Sequence, residues 1–198
     1  QEIFKSISKI PDTLNQASEE IRGRVRLQMI TNLVNCSLNR PLEQFHRNHP
    51  NVELFISIAT WDVIQRNVIR NEVEVGIGPA SQHLPDLSYE LLFSEVYKPY
   101  CGKSHVLYGR KISSPDQLST YGHILTGADE PLQLTKFRQK WGLGVQLAGL
   151  SEHLEEARRM TELGVGICFL PTTFAASAVR EGTLHELMDD LTAPESSI

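Results

Sequence analysis

The chain has too few cysteines to be a disulfide scaffold: Cys36, Cys101 and Cys168 are odd in number and far apart. Such a pattern suits a reducing compartment, so a cytoplasmic location is expected. Clustered positive charge is also lacking. Nineteen Lys and Arg stand against 24 Asp and Glu, a formal net charge of −5. That balance excludes these residues as a nucleic-acid surface, because phosphate contacts need grouped basic side chains. No apolar run approaches the roughly 18 residues of a membrane span. The opening QEIFKSISKI lacks the continuous apolar core of a signal peptide. No internal repeat or low-complexity tract occurs, and the Pro-Glu-Ser-Ser end reads as a frayed tail.

Catalytic and metal signatures are missing as well. There is no G-x-S-x-G elbow. His46-x-x-His49 has neither the four-residue spacing nor the intervening Glu of a zinc-protease helix, and beside Pro50 it reads as a solvated helix end. His153 with Glu155 and Glu156 reads as a polar helix start, the alternative being that His153 faces a cleft. Gly164-x-Gly166 precedes a strand instead of following one, which fails the context for dinucleotide binding. Cys168 sits in an apolar run and reads as packing. Cys101 ends a strand with no partner Cys nearby in sequence, so a redox role has little support. No catalytic residue, metal ligand or cofactor is assigned.

What is present organises itself around 45–78, FHRNHPNVELFISIATWDVIQRNVIRNEVEVGIG. Val52, Leu54, Ile56 and Ile58 alternate with polar residues, a period-two strand pattern, and Asn48-His49-Pro50-Asn51 marks its start. Ile64 and Val68, four apart, share a helical face. Val73 to Ile77 forms a second short strand, ending at Gly78-Pro79. Strand, helix and strand of this length make a right-handed βαβ unit with parallel strands. Upstream, Val25, Leu27 and Met29 alternate with polar residues. They lead through Thr31-Asn32 into a helix carrying Leu38, Leu42 and Phe45 inward, with a kink or late start at Pro41. Residues 23–78 are therefore β-α-β-α-β, a doubly wound half.

Ile3, Ile7, Ile10, Leu14, Ala17 and Ile21 form an a/d seam of about three heptads, the pattern of a helix that pairs with another, although Pro11 interrupts it. Beyond Pro79, a polar loop is followed by two extended stretches, 87–93 and 96–101, broken near Ser94-Glu95. A short helix opens at Ser114-Pro115-Asp116. His123 to Thr126 and Val145 to Leu150 read as strands, and 135–141 as a helix. Ser151 caps a helix running to Leu163. A buried strand ends at Pro171, a helix spans Ala175 to Arg180, and an extended piece starts at Leu184. With 198 residues and 40% hydrophobic content, two α/β lobes around a cleft are the expected architecture.

In order, the heptad seam, GRVRLQMI, PLEQFHRNHPNVEL, NEVEVGIG, LPDLSYELLFSEVYKPYCGKSHVL and ELGVGICFLP resemble the effector-binding region of a LysR-type transcriptional regulator. The resemblance covers about Gly23 to Leu184. It implies a fold of two Rossmann-like lobes with a central cleft, type 2 periplasmic-binding-protein-like, preceded by a linker helix. The implied segments are a linker at 1–22, lobe I at 23–95, lobe II at 96–190, and a crossing segment or tail at 191–198. It further implies a small-molecule inducer in the cleft, and DNA contact only through an upstream winged helix-turn-helix domain. Two departures stand out. Glu74 replaces the usual Asp, which should adjust only a strand end. The family also continues past the position of Ile198, with a strand crossing back to the first lobe and a terminal helix.

The site follows from position, since ligands in such sheets lie outside the carboxyl ends of the strands. Thr31 and Asn32 follow the first strand, Thr60 and Trp61 the second, Gly78 and Pro79 the third. Thr126 and Gly127 follow a strand of the second lobe, and His153 completes the set. The family's hydroxyl residues after the first two strands hold an effector carboxylate, and Thr31 and Thr60 match those positions. The alternative is that both threonines only cap helices, and that Trp61 is a rim or packing aromatic. The expected partners are a small organic anion and further copies of the chain, as a homodimer or tetramer, with no membrane. The alternative function is an extracytoplasmic solute-binding protein of the same fold. An enzyme is disfavoured for want of a convergent acid, base or nucleophile set.

Overall fold

A computed structural model of the protein describes residues 21–31, 33, 36–79, 84–127, 130–188 and 194–198. The heptad seam from Ile3 to Ala17 and Asn32 lie outside these residues, and Ile21, the last seam residue, is exposed. Three parallel strands, β1 (Gly23–Met29), β2 (Val52–Ile58) and β3 (Val75–Ile77), form one sheet in the order β2-β1-β3. Register pairs Leu27 with Ile56 on one side and with Val75 on the other. Helix α1 (Cys36–Asn48) crosses from β1 to β2 and contains Pro41. Helix α2 (Trp61–Ile69) crosses from β2 to β3. The β-α-β-α-β reading of 23–78 is what the chain adopts.

The side chains explain the packing. Leu27 and Ile77 are buried with Leu38 of α1, and Met29, Leu33 and Val75 pack against them. On the other face Ile64 is fully buried, and a Cβ on Gly76 would fall 2.5 Å from its Cγ2. Only glycine lets α2 approach β3 so closely. Glu74 accepts from the backbone N–H of Arg26 at 2.6 Å and from its guanidinium at 2.6 Å, tying β1 to the start of β3.

The second sheet runs β6-β5-β7-β4-β8. Its strands are β4 (Ser94–Gly102), β5 (His123–Leu125), β6 (Leu147–Leu150), β7 (Ile167–Pro171) and β8 (Leu184–Glu186). β5 is parallel to β6 and β7, whereas β4 is antiparallel to β7 and β8. Around it lie α3 (Leu132–Trp141), α4 (Leu154–Glu162), α5 (Thr172–Arg180) and a 3-10 turn at Pro115–Leu118. One core holds Tyr97, Cys101, Leu118, Leu134, Ile167, Phe169, Leu187 and Met188. The other, on the opposite face, holds Tyr100, Ile124, Ala157, Cys168, Leu170, Phe174 and Ala175. Among the described residues no helix is long and apolar enough to cross a membrane.

Four expectations need correction. Residues 87–93 are not a strand, and β4 runs unbroken through Ser94-Glu95. The reason is a distant partner: β9 (Glu195–Ser197) pairs antiparallel with Ser94–Val96, so the Pro-Glu-Ser-Ser end is a paired strand and not a frayed tail. Local pattern cannot reveal a ladder between residues about a hundred positions apart. The helix after Ser151 begins at Leu154 with His153 as its N-cap residue. Ser151 instead closes a tight turn, its Oγ accepting from the His153 N–H at 3.1 Å. Finally, α1 starts at Cys36, so Thr31 sits in a turn well before it and does not cap it.

Candidate functional site

In the first lobe the backbone itself brings the expected residues to one edge. Ala59 donates its N–H to the Met29 carbonyl at 3.1 Å, and Ile30 donates to Ile77 at 3.2 Å. Thr31, Thr60 and Gly78 therefore leave three adjacent strand ends side by side. Thr31 and Thr60 are half-buried, while Gly78 and Pro79 are buried. Trp61 packs against the end of β3: a Cβ on Gly78 would stand 2.3 Å from its ring. Glycine is required there, and the indole serves first as packing that fixes the start of α2. Asn32 lies outside the described residues.

Thr60 occupies the N-cap position of α2 in extended conformation, yet its side chain does not cap. Its hydroxyl donates to Asp62 Oδ1 at 2.6 Å. Asp62 also accepts from backbone N–H groups of Val63 and of its own residue, and it faces Arg66 at 3.2 Å. These contacts, the Thr60 hydroxyl foremost, hold the Asp62 carboxyl below the usual carboxylate range. The carboxylate thus takes up part of the positive helix end that an incoming anion would use.

In the second lobe Thr126 and Gly127 follow β5 directly. Ser151 donates its N–H to the Leu125 carbonyl at 3.0 Å, which sets the turn before α4 against this loop. Gly127 has φ +79 and would bring a Cβ within 3.1 Å of Glu152. Both the left-handed backbone and the close approach call for glycine. His153 is exposed at the same edge, and its ring makes no cap bond. Thr126, Gly127 and His153 are thus gathered by one loop pair, as the first-lobe residues are gathered by another.

Beneath the Gly127 loop lies a polar group that sequence reading missed. Glu130 donates its N–H to Gly127 O at 3.3 Å, and its carboxylate accepts from Thr135 Oγ1 at 2.9 Å and from the Arg138 guanidinium. The two charged side chains are only 6% and 13% exposed. Burial pushes the Glu130 carboxyl up, and Arg138 pulls it back. His123 is also buried, with Nε2 against the Leu118 carbonyl at 3.1 Å and its ring stacked on Phe169. Burial lowers its titration, so it is a neutral core histidine. A signal for Asp62 was available in the Thr-x-Asp spacing at a helix start. None existed for the Glu130–Arg138 pair, which only the α3 packing creates.

Both described free cysteines are buried, and burial raises Cys101 to about 11 and Cys168 to about 12. A reactive thiol needs the opposite shift. Among the described residues no group of three or more His, Cys, Asp or Glu is placed to hold a metal ion. Depressions lined by Arg40, Glu43 and Arg47, and by Arg22, Arg24 and Glu53, contain none of the expected site residues.

Known proteins share both sequence and fold with this chain. The transcriptional activator BauR of Pseudomonas aeruginosa, an HTH-type protein, is 22% identical over 202 residues, covering 96% of this chain and 63% of BauR. The chain therefore spans less than two thirds of that relative. The cofactor-binding domain of the Cbl transcriptional regulator superposes with a TM-score of 0.73 at 15% identity, over 92% of this chain and 81% of that one. The BenM effector-binding domain, solved with its effector benzoate, gives 0.68 at 16% identity, over 89% and 82%. At these identities the superpositions establish the fold, two α/β lobes of the regulators' effector-binding type. Residues 18–198 match the LysR substrate binding domain model, and the chain belongs to that family.

Proposed function

We propose that this chain is the effector-sensing region of a cytoplasmic, non-enzymatic LysR-type regulator that binds a small organic anion between its lobes and reports it to a DNA-binding domain. The observation that carries the reading is the convergence of Thr31, Thr60 and Gly78 on one edge at the start of α2, within a chain of this family. In each sheet the expected ligand residues follow the carboxyl ends of parallel strands, where helix N–H groups face outward. BenM takes benzoate, an anion of this class. The alternative of a transporter's solute-binding protein is disfavoured by the family match. The mechanism is a population shift: an effector with greater affinity for one lobe arrangement biases the arrangement seen by the DNA-binding part.

Copies of the chain would pair through the edge strands. Phe55, Ile56 and Ile58 of β2 are 57%, 42% and 53% exposed, and Leu147 and Leu150 of β6 are exposed likewise. An antiparallel homodimer would set α1 and β2 of one copy against the second lobe of the other.

The test is a thermal-shift screen of small carboxylates, amines and neutral compounds, followed by calorimetry with any carboxylate that stabilises the chain. A hydrogen bond to a charged group contributes roughly 1.5–3 kcal/mol, so Thr60→Val should lose about ten- to a hundredfold in affinity. Asp62→Asn should bind the same carboxylate more tightly, because a competing negative charge is removed. If only amines stabilise the chain, or if Asp62→Asn weakens carboxylate binding, the anion reading fails.

A further inference from the structure

The two lobes are joined by two short antiparallel segments, and one carries a carboxyl that neither the core nor the ligand site accounts for. Leu92 and Phe93 pack with the first-lobe core, while from Tyr97 onward β4 belongs to the second sheet. On the return path Ser197, Ser196 and Glu195 pair with Ser94, Glu95 and Val96, and Ile198 enters the first-lobe core. Leu92 and Phe93 donate their N–H groups to the Ile198 carbonyl at 2.7 and 3.3 Å, and Ile198 donates to Phe93 at 2.9 Å. Any change in the angle between the lobes must bend this two-stranded crossing.

Glu95 sits in that crossing and is 4% exposed. Its strand partner Ser196 is 2% exposed. Among the described residues the carboxyl accepts one hydrogen bond, from the Tyr97 hydroxyl at 3.4 Å, the outer limit for such a bond. An ionised carboxylate has about four acceptor sites and would be almost wholly unsolvated here. Among the described residues no cation compensates it. On β9, Glu195 is exposed and pairs with Val96, not with Glu95. On α3, which packs on β9, Arg138 is engaged by Glu130. The remaining charged residues of α3, Lys136 and Lys140, are exposed. On β4 itself Lys98 is paired with Glu186 at 2.9 Å.

We propose that Glu95 couples the angle between the lobes to its own protonation: the arrangement seen here holds the carboxyl neutral, and ionised Glu95 favours an arrangement in which water reaches the crossing. Burial raises the Glu95 carboxyl above the usual range, and the Tyr97 hydroxyl opposes this less strongly, with no neighbouring charge involved. The sign follows from linkage. A carboxyl raised in one state favours that state at low pH and releases it as pH climbs through the raised value. The present arrangement is therefore the acid-favoured one. Its bearing on effector sensing rests on the function proposed above, but the hinge behaviour does not.

Small-angle X-ray scattering on the full chain at pH 5 and pH 8 tests the coupling, with Glu95→Gln as the permanent mimic of the neutral carboxyl. The wild type is expected to change its scattering profile between the two conditions, while Glu95→Gln keeps the acid profile at both. Glu130 titrates in both proteins, so its contribution cancels in the comparison. An unchanged wild-type profile, or a variant that shifts as far as the wild type, overturns the proposal. Should the variant not fold, carbon-13 NMR of glutamate carboxyls in the wild type decides. A carboxyl assigned to Glu95, as distinct from the also raised Glu130, that titrates with the midpoint of the scattering change supports the coupling. A scattering change with a different midpoint overturns it.

Discussion

Strands β7 and β2 are both rich in apolar residues, yet their fates differ. Ile167, Cys168, Phe169 and Leu170 of β7 are 0–3% exposed, whereas Phe55, Ile56 and Ile58 of β2 remain more than two-fifths exposed. β7 lies between β5 and β4 and is covered by Leu134 of α3 on one face and by Ala157, Phe174 and Ala175 on the other. β2 lies at the edge of a three-stranded sheet, and α1 buries Leu38 over β1 and β3 rather than over β2. An apolar strand therefore states a demand for cover without saying where the cover comes from. The second lobe meets that demand within itself. The first lobe meets it partly through the returning Ile198 and leaves the remainder on its surface.

If the second lobe is the self-sufficient one, damage to its interior should cost most. Arg138→Ala would strand the Glu130 carboxylate, 6% exposed, without its cation. Breaking a buried pair from one side costs about 3–5 kcal/mol. Urea denaturation at neutral pH should show that loss, and a change below about 1 kcal/mol, the surface-pair range, would mean water reaches the pair.

The first lobe should fail more locally. Ile198 is 4% exposed and packs with Leu27, Leu38 and Ile77. Ile198→Ala removes three methyl-sized groups from that small core, for about 2–4 kcal/mol. Hydrogen exchange should accelerate in β1 and β3 while β7 keeps its protection. Equal acceleration in β7 would show that the lobes unfold as one unit and would erase the contrast.

Much of this contrast was legible in the sequence, and the unread part has a physical cause. The alternation at Val25, Leu27 and Met29 and the Ile64–Val68 spacing each correspond to the element they suggested, because both are local periodicities. Alternation in β2 also appeared, but it implied an inward face for Ile56 and Ile58 that the chain does not cover. β9 could not be read from local pattern, since Glu-Ser-Ser has no strand propensity and owes its conformation to Ser94–Val96; only the family resemblance offered a crossing segment at 191–198, beside the tail reading. Of the site residues, strand ends could be located from Gly78-Pro79 and Thr60-Trp61. The roles of the side chains could not, because Thr60 bonding to Asp62 and Trp61 lying on Gly78 are matters of rotamer and packing.

The smallest effect on folding should come from β2 itself, and it sharpens the comparison most. Ile56 is 42% exposed and lies on the same sheet face as Ile58 and Leu54, while Phe55 lies on the other. Replacing an exposed apolar side chain away from special features changes stability by no more than about 0.5 kcal/mol. If another copy covers this strand, however, the same side chain is buried in the assembly, and each square ångström of apolar contact contributes about 25 cal/mol. Ile56→Asn should then leave the melting temperature of the dilute chain almost unchanged. In sedimentation velocity at micromolar concentration it should raise the dimer dissociation constant about tenfold, equivalent to about 1.4 kcal/mol. Ile69→Ser is the control, since Ile69 is similarly exposed, at 41%, but stands at the end of α2 rather than on the strand edge. A wild-type chain that sediments only as a monomer, or an Ile69→Ser variant that dissociates as readily as Ile56→Asn, would show that the bare edge of β2 is not where copies meet.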